Sequence, residues 1–284
     1  MKFGLFGINM RPCDDPATAA RVARAAEQAG FDSLWTGEHI VLADPQTPPS
    51  PMPPDVPFVD SAVALAFAAG HTETIKLATG IIILPQRNPV VLAKSLASVD
   101  VVSGGRLICG FGIGSLAVEY GALGVPFEHK GRRAEEYIGA MKALWTMERP
   151  EYHGRFVSFS GVRAEPRPLQ KPCPPIVFGG NSQYAFSRTA RLGDGWFGFG
   201  LDRDRTASYI DGIRKACERY GRRFADIEIS VTPRARVDCD VARHYAELGV
   251  HRIVLYTRAR DESGVMEFIR AAERDLIDRF RSRS

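Results

Sequence analysis

The chain has 284 residues, 45% hydrophobic and 25% charged, which supplies a sizeable core and excludes an intrinsically disordered protein. A formal net charge of +4, spread along the chain, is too small to argue for nucleic acid and suits an anionic small ligand. The five cysteines (Cys13, Cys109, Cys173, Cys217, Cys239) are odd in number and form no C-x-x-C, so they read as scattered thiols of a reducing compartment.

No N-terminal stretch joins a basic head to an apolar core, and the longest apolar run, near GIIIL, falls far short of the ~20 residues of a membrane span. The expectation is a soluble, cytoplasmic protein without membrane association. Strands and helices then alternate along the chain. FGLFGI (3–8) is an apolar strand, followed by a helix that Asp15 caps, Pro16 opens and Gly30 ends. FDSLWT (31–36) is a strand, 59–70 a helix, IKLATGIII (75–83) a strand and 89–105 a helix ending in Gly-Gly. RLICGFGIG (106–114) is the fourth strand with its exit loop, and a long amphipathic helix covers 131–147.

The cadence resumes with PIVFGG and helix 183–193, WFGF (196–199) and helix 205–220, IEISV (227–231) and helix 239–248, then HRIVLY (251–256) and helix 263–281. The basic end, RDLIDRFRSRS, reads as a solvated helix terminus. Eight strands, each followed by a helix, predict a parallel sheet closed into a single (β/α)8 barrel domain over 1–284. An open doubly wound sheet would put a glycine-rich phosphate loop after the first strand, and GINMRPCDDP has none. Two insertions break the rhythm: the proline-dense 41–58, expected to decide the substrate, and 151–174, where RFVSFSG predicts a hairpin across the barrel mouth.

The active site of such a barrel lies where the strands end. Those ends carry Glu38 and His39 in TGEHI and an unusual number of glycines, among them Gly80, Gly110, Gly112, Gly114, Gly179, Gly180, Gly198 and Gly200. Glycine offers a strand nothing to pack, so this clustering at one end predicts close approach of a bulky ligand. PPIVFGGNS (174–182) runs from strand through Gly-Gly to a helix start, a place for a phosphate held by backbone N–H groups. GFGIGSLA (110–117) satisfies G-x-G-x-x-A, but the following YGALGVPFEHKGRR reads as loop and no acid ends a next strand, which argues against a nicotinamide dinucleotide. His39 is the one histidine directly after a strand and beside an acid, so it is the candidate proton carrier, with Glu38 orienting it. The remaining histidines have no metal-site spacing, and no nucleophile elbow or P-loop is present. A non-redox phosphate-binding barrel or a ligand-binding protein stays open as another class, although Lys76 stands at the wrong end of its strand to serve as a catalytic lysine.

Taken in order, KFGLFG, AEQAGFDSLWTGEHI, LATGIIILPQRNPVVLAKSLASVDVVSGGRL, GFGIGSLAVEYGALGVPF, RPLQKPCPPIVFGGNS and ARLGDGW resemble the luciferase-like flavin and deazaflavin oxidoreductases. The resemblance implies a cis peptide between Gly80 and Ile81 that backs a cofactor ring, and cofactor contacts from Thr79, Gly80, Ile81, Gly112 and Ser115. It implies the cofactor phosphate at Gly179, Gly180, Asn181 and Ser182, and places His39 near the ring. Ala43 and Ser115 stand where the sugar-phosphate dehydrogenases of that family carry Trp and Glu, which argues against a sugar phosphate. The compact pattern of GIIIL, PQRNP and Gly-Gly-Asn-Ser looks more like the branch using coenzyme F420, an obligate hydride carrier. FMN, with a separate reductase and monooxygenase chemistry, is the alternative cofactor. A homodimer, a small-molecule substrate and a cofactor-reducing partner enzyme are further implications of the same resemblance.

Overall fold

The computed structural model describes residues 1–281. Its strands are short runs buried on both faces, the pattern a parallel sheet between two layers of contacts requires. They are β1 (Lys2–Phe6), β2 (Ser33–Thr36), β3 (Lys76–Thr79), β4 (Ile82–Ile83) and β5 (Leu107–Gly112) in the first half. After the short hairpin strands β6 (Tyr152–His153) and β7 (Ser158–Phe159) come β8 (Ile176–Gly179), β9 (Gly195–Leu201), β10 (Glu228–Pro233) and β11 (Arg252–Leu255). The ring runs β3-β2-β1-β11-β10-β9-β8-β5, and pairing of β3 with β5 closes it. β4 continues β3 and pairs with β5 through Ile82 and Ile83, so β3 and β4 make one stave of a closed, eight-stave (β/α)8 barrel.

The helices surround it: α1 (Pro16–Gln28), α2 (Ser61–Ala69), α3 (Pro89–Val102), α4 (Ala117–Ala122), α5 (Lys130–Thr146), α6 (Gln183–Leu192), α7 (Arg203–Arg219), α8 (Cys239–Glu247) and α9 (Glu262–Ala272). A π-helical turn, Glu273–Ile277, leads from α9 to α10 (Asp278–Arg281). Most of them start where the sequence puts an oxygen-bearing cap. Asp15 accepts from the Thr18 N–H, Asp60 from Ala62 and Val63, Asn88 from Val90 and Val91, and Ser182 from Ala185. Proline at the first position of α1 and α3 fixes the entry angle at no hydrogen-bond cost.

Two cores result. The larger lies between barrel and helices; the smaller fills the barrel with Phe6, Trp35, Ala78, Ile108, Val177, Phe197 and Val254, with Met10 and Ile81 packed against it. The N-terminal end is sealed by charge. Arg252, 2% exposed, donates to Asp32 at 2.8 Å and to Ser230, pairs with Glu228, and lies 5.7 Å from the Trp35 ring centroid. The C-terminal end is the one left for chemistry.

Three local expectations are corrected. The strand predicted over 75–83 is interrupted after Thr79 and resumes at Ile82, although the cis peptide expected at Gly80–Ile81 is present. The region YGALGVPFEHKGRR (120–133), expected to be loop, begins inside α4, which opens on buried Leu116 and ends near Gly124 at φ +64°. The hairpin in 151–174 does not cross the mouth. It stands on the flank of α5, where the Phe156 N–H donates to Glu136 and Tyr152 fills the space over Gly139. The last three residues of the basic end, 282–284, lie outside the described residues.

Candidate active site at the barrel mouth

The bulge between β3 and β4 organises the mouth. Thr79 Oγ1 donates to the Gly110 carbonyl at 2.8 Å and accepts from the Gly110 N–H at 2.7 Å, locking β3 to β5 just below the bulge. A Cβ on Gly110 would stand 1.8 Å from the Thr79 carbonyl oxygen, and one on Gly112 would stand 2.3 Å from Ile81 Cδ1. These two glycines therefore make room for the bulge itself. The Thr79 hydroxyl is used within the barrel, and the space over Gly112 belongs to Ile81. Ser115 follows Gly114, at φ +59°, and is exposed.

In front of the bulge lies a cavity of about 240 Å³. Gly80 and Ile81 line one part of it and Gly179, Gly180 and Asn181 another, with Trp196, Gly198, Phe199 and Tyr209 completing the wall. Gly180 has φ +111°, where a side chain is disfavoured, and its carbonyl accepts from Trp196 Nε1 at 2.8 Å. Asn181, which lines the cavity, stands two residues before the first residue of α6. Ser182 Oγ takes the Ala185 N–H, while the Gln183 and Tyr184 N–H groups lie in the first turn, where no intrahelical acceptor exists. Positive helix-end charge and free N–H groups suit an anion. The cavity thus has an apolar wall at the bulge and, at its other side, a turn whose free N–H groups suit an anion, so a flat ring carrying a phosphate would fit.

Beside it, a smaller cavity of about 200 Å³ is lined by Gly37, Glu38, His39, Phe58, Asp60 and Arg87. The expected Glu38–His39 partnership is not made. Glu38 accepts from the Ile83 N–H at 2.9 Å and from Arg87 Nη2 at 2.7 Å, and Arg87 reaches on to Asp60 at 2.8 Å. Burial pushes the Glu38 carboxyl up, with Arg87 and the Ile83 N–H pulling against it. Glu38 thus ties the exit of β2 to the top of the bulge.

The acid that His39 meets is Glu119 of α4, 3.4 Å from Nδ1. Glu119 also accepts from the Ile40 N–H at 2.7 Å, and its side chain is fully buried beside a His39 that is 17% exposed. Burial alone would raise this carboxyl, yet His39 and the Ile40 N–H hold it below the usual carboxylate range. His39 is therefore oriented by an ionised acid from a different stave. Asn9, at the end of β1, is wholly buried and bonds Gly37 and the Val59 carbonyl, fixing the loop that carries His39.

Glu119, Arg87 and the aromatic wall of Phe199, Trp196 and Tyr209 were missed in the sequence. Glu119 had one signal, an acid set among apolar residues in SLAVEYGAL. Lys130 was missed as well: its Nζ donates to the Gly114 carbonyl at 2.8 Å and lies 3.7 Å from the Phe127 ring centroid, and burial lowers its pKa. Among the described residues no group of three or more His, Cys, Asp or Glu is placed to hold a metal ion, and no helix is long and apolar enough to cross a membrane.

Comparisons with known proteins bear on the family and the fold. The family model described as luciferase-like monooxygenase matches residues 1–279. An uncharacterised protein of Mycobacterium tuberculosis (strain ATCC 25618 / H37Rv) is 32% identical over 260 residues, covering 88% of this chain and 90% of that one. The FMNH2-dependent dimethylsulfone monooxygenase of Pseudomonas putida is 29% identical over 216 residues, 74% of this chain and 53% of that protein. Among solved structures, the coenzyme F420-dependent tetrahydromethanopterin reductase of Methanopyrus kandleri superposes with a TM-score of 0.79 at 17% identity, over 98% of this chain and 99% of that one. With its closed barrel and a family match that runs almost end to end, the chain belongs to the luciferase-like monooxygenase family.

Proposed function

We propose that this protein is an F420-dependent oxidoreductase that moves a hydride between the deazaflavin and a small organic carbonyl or alcohol. The observation that carries the reading is the His39–Glu119 pair. Hydride exchange with a carbonyl leaves an oxygen that must gain or lose a proton, and an imidazole held by a buried carboxylate supplies one at that position. F420, when bound, supplies the hydride-carrying ring carbon; the protein supplies placement and protons.

Each residue then has a task. Gly80 and Ile81 back the ring, while Thr79 and Gly112 hold that backing in place from behind. Gly179, Gly180, Asn181 and Ser182 receive the phosphate at the start of α6. His39 moves the proton and Glu119 orients it; Glu38 fixes the neighbouring chain through Arg87 and Ile83. Ser115 lies exposed at the rim, open to the outer part of the ligand. A cytoplasmic homodimer, served by a separate enzyme that reduces the cofactor, belongs to the same reading.

A second reading, an FMN-dependent monooxygenase fed by a reductase, is favoured by the likeness to the dimethylsulfone monooxygenase. Reaction type separates the two. Under anaerobic conditions, reduced F420 with a panel of aldehydes and ketones should be oxidised catalytically, seen as recovery of F420 fluorescence. Oxygen uptake with reduced FMN, and no turnover of F420, would replace the first reading by the second.

A further inference from the structure

A third cavity at the mouth, about 420 Å³, is distinct from those around the bulge and His39. It opens where β1 and β11 end, under residues 52–57 of the proline-rich insertion. Its inner wall is apolar, with Leu5, Ile8, Met10, Val22 and Val265. It adjoins the ring cavity through aromatic side chains. Phe199, which lines the ring cavity and is 50% exposed, stands 4.8 Å from the Phe6 centroid and 5.9 Å from that of Tyr256, both of which line the larger cavity.

The charge around this cavity is one-sided. Arg11, Arg258 and Arg260 line it against a single acid, Asp55. Arg11 has only a 3.6 Å pairing with Asp14, and neither Arg258 nor Arg260 makes an ion pair or side-chain hydrogen bond among the described residues. By contrast, Arg87 at the mouth and Arg252 at the floor are each satisfied by two carboxylates. Guanidinium groups left without a partner at the rim of an apolar cavity present forked donors to a carboxylate or sulfonate.

The geometry points to this cavity as the substrate site, and to an organic anion as the substrate: an apolar body against Met10 and Val265, with its acid group held by Arg258 and Arg260. The inference deepens the proposed function and rests on it, since it takes the neighbouring cavity as the cofactor's. The anion's charge stays at the rim and its far end reaches the Phe199 side, toward the ring.

The test is calorimetric and needs no cofactor. Phenylbutyrate and its uncharged amide are titrated into the wild-type protein and into an Arg258→Gln/Arg260→Gln double variant, whose changes lie on exposed residues. The acid should bind the wild type about tenfold more tightly than the amide, and the double variant should lose that preference while still binding the amide. Equal binding of acid and amide, binding of neither, or an unaltered preference in the variant would overturn the assignment. So would a double variant that loses affinity for F420 and not for the acid, because the arginines would then serve the cofactor's acidic tail. Acid binding by a protein that takes neither F420 nor FMN would uphold the anion site and overturn the cofactor reading alone.

Discussion

His39 depends on Glu119 more than on its sequence neighbour, because β2 turns Glu38 away toward Arg87 while α4 brings a buried carboxylate beside the imidazole. Replacing His39 by Ala should lower F420-dependent turnover by about a hundredfold, the lower end of what general acid–base catalysis contributes, with cofactor affinity little changed. Equal turnover would remove the role. Glu119 also makes an acid-sensitive point. Its folded carboxyl lies below the usual value, so the stability it contributes is complete above that usual value and is lost as pH falls through the lowered one. Urea midpoints at pH 7 and near pH 4 should therefore drop more for the wild type than for Glu119→Gln; parallel drops would contradict the assignment. At the phosphate turn, Asn181→Asp adds a charge without disturbing the left-handed Gly180, and should weaken cofactor binding about tenfold by like-charge repulsion. His39 was legible in the sequence because it follows a strand directly. Glu119 was not, because an acid among apolar residues does not reveal a partner 80 residues away.

At the scale of elements, the bulge and its neighbour strand are one unit. Gly110 has no space for a methyl group against the Thr79 carbonyl, and backbone cannot yield as a side chain does. Gly110→Ala should cost about 3 kcal/mol in urea unfolding, whereas Gly112→Ala, which meets only the end of Ile81, should cost less and show mainly as weaker cofactor binding. The reverse order would contradict this account of the bulge. The glycines were visible in the sequence, but their meaning was half misread. Gly179 and Gly180 line the cavity, while Gly110 and Gly112 serve strand packing, and composition alone cannot tell a close ligand from a close strand. On the opposite face, Arg106 is buried and donates to the carbonyls of Ala69, Thr72, Ile75 and Ser103, closing the ends of α2 and α3. Arg106→Ala leaves these carbonyls without their donor and should destabilise by on the order of 3 kcal/mol without changing cofactor affinity; a Tm within a degree of wild type would refute it.

The whole molecule divides its labour between two ends. Charge pairing around Arg252 closes the N-terminal end, and the barrel interior is packed with Phe6, Trp35 and Phe197, so ligands have only the C-terminal mouth. This much was legible, because alternating strands and helices with caps such as Asp15 and turns such as Gly30 leave few topologies. What the sequence could not convey was which loops meet over the mouth: α4 against the His39 loop, and the proline-rich insertion over the ends of β1 and β11. Such contacts join residues far apart in the chain and leave no periodic trace. The central claim is that the cavity between Ile81 and Asn181 holds a deazaflavin. Fluorescence titration of the purified protein with oxidised F420 and, separately, with FMN tests it most directly. The account predicts saturable F420 binding, much tighter than FMN binding and weakened by Asn181→Asp. Tighter FMN binding, or F420 binding indifferent to that substitution, would contradict it.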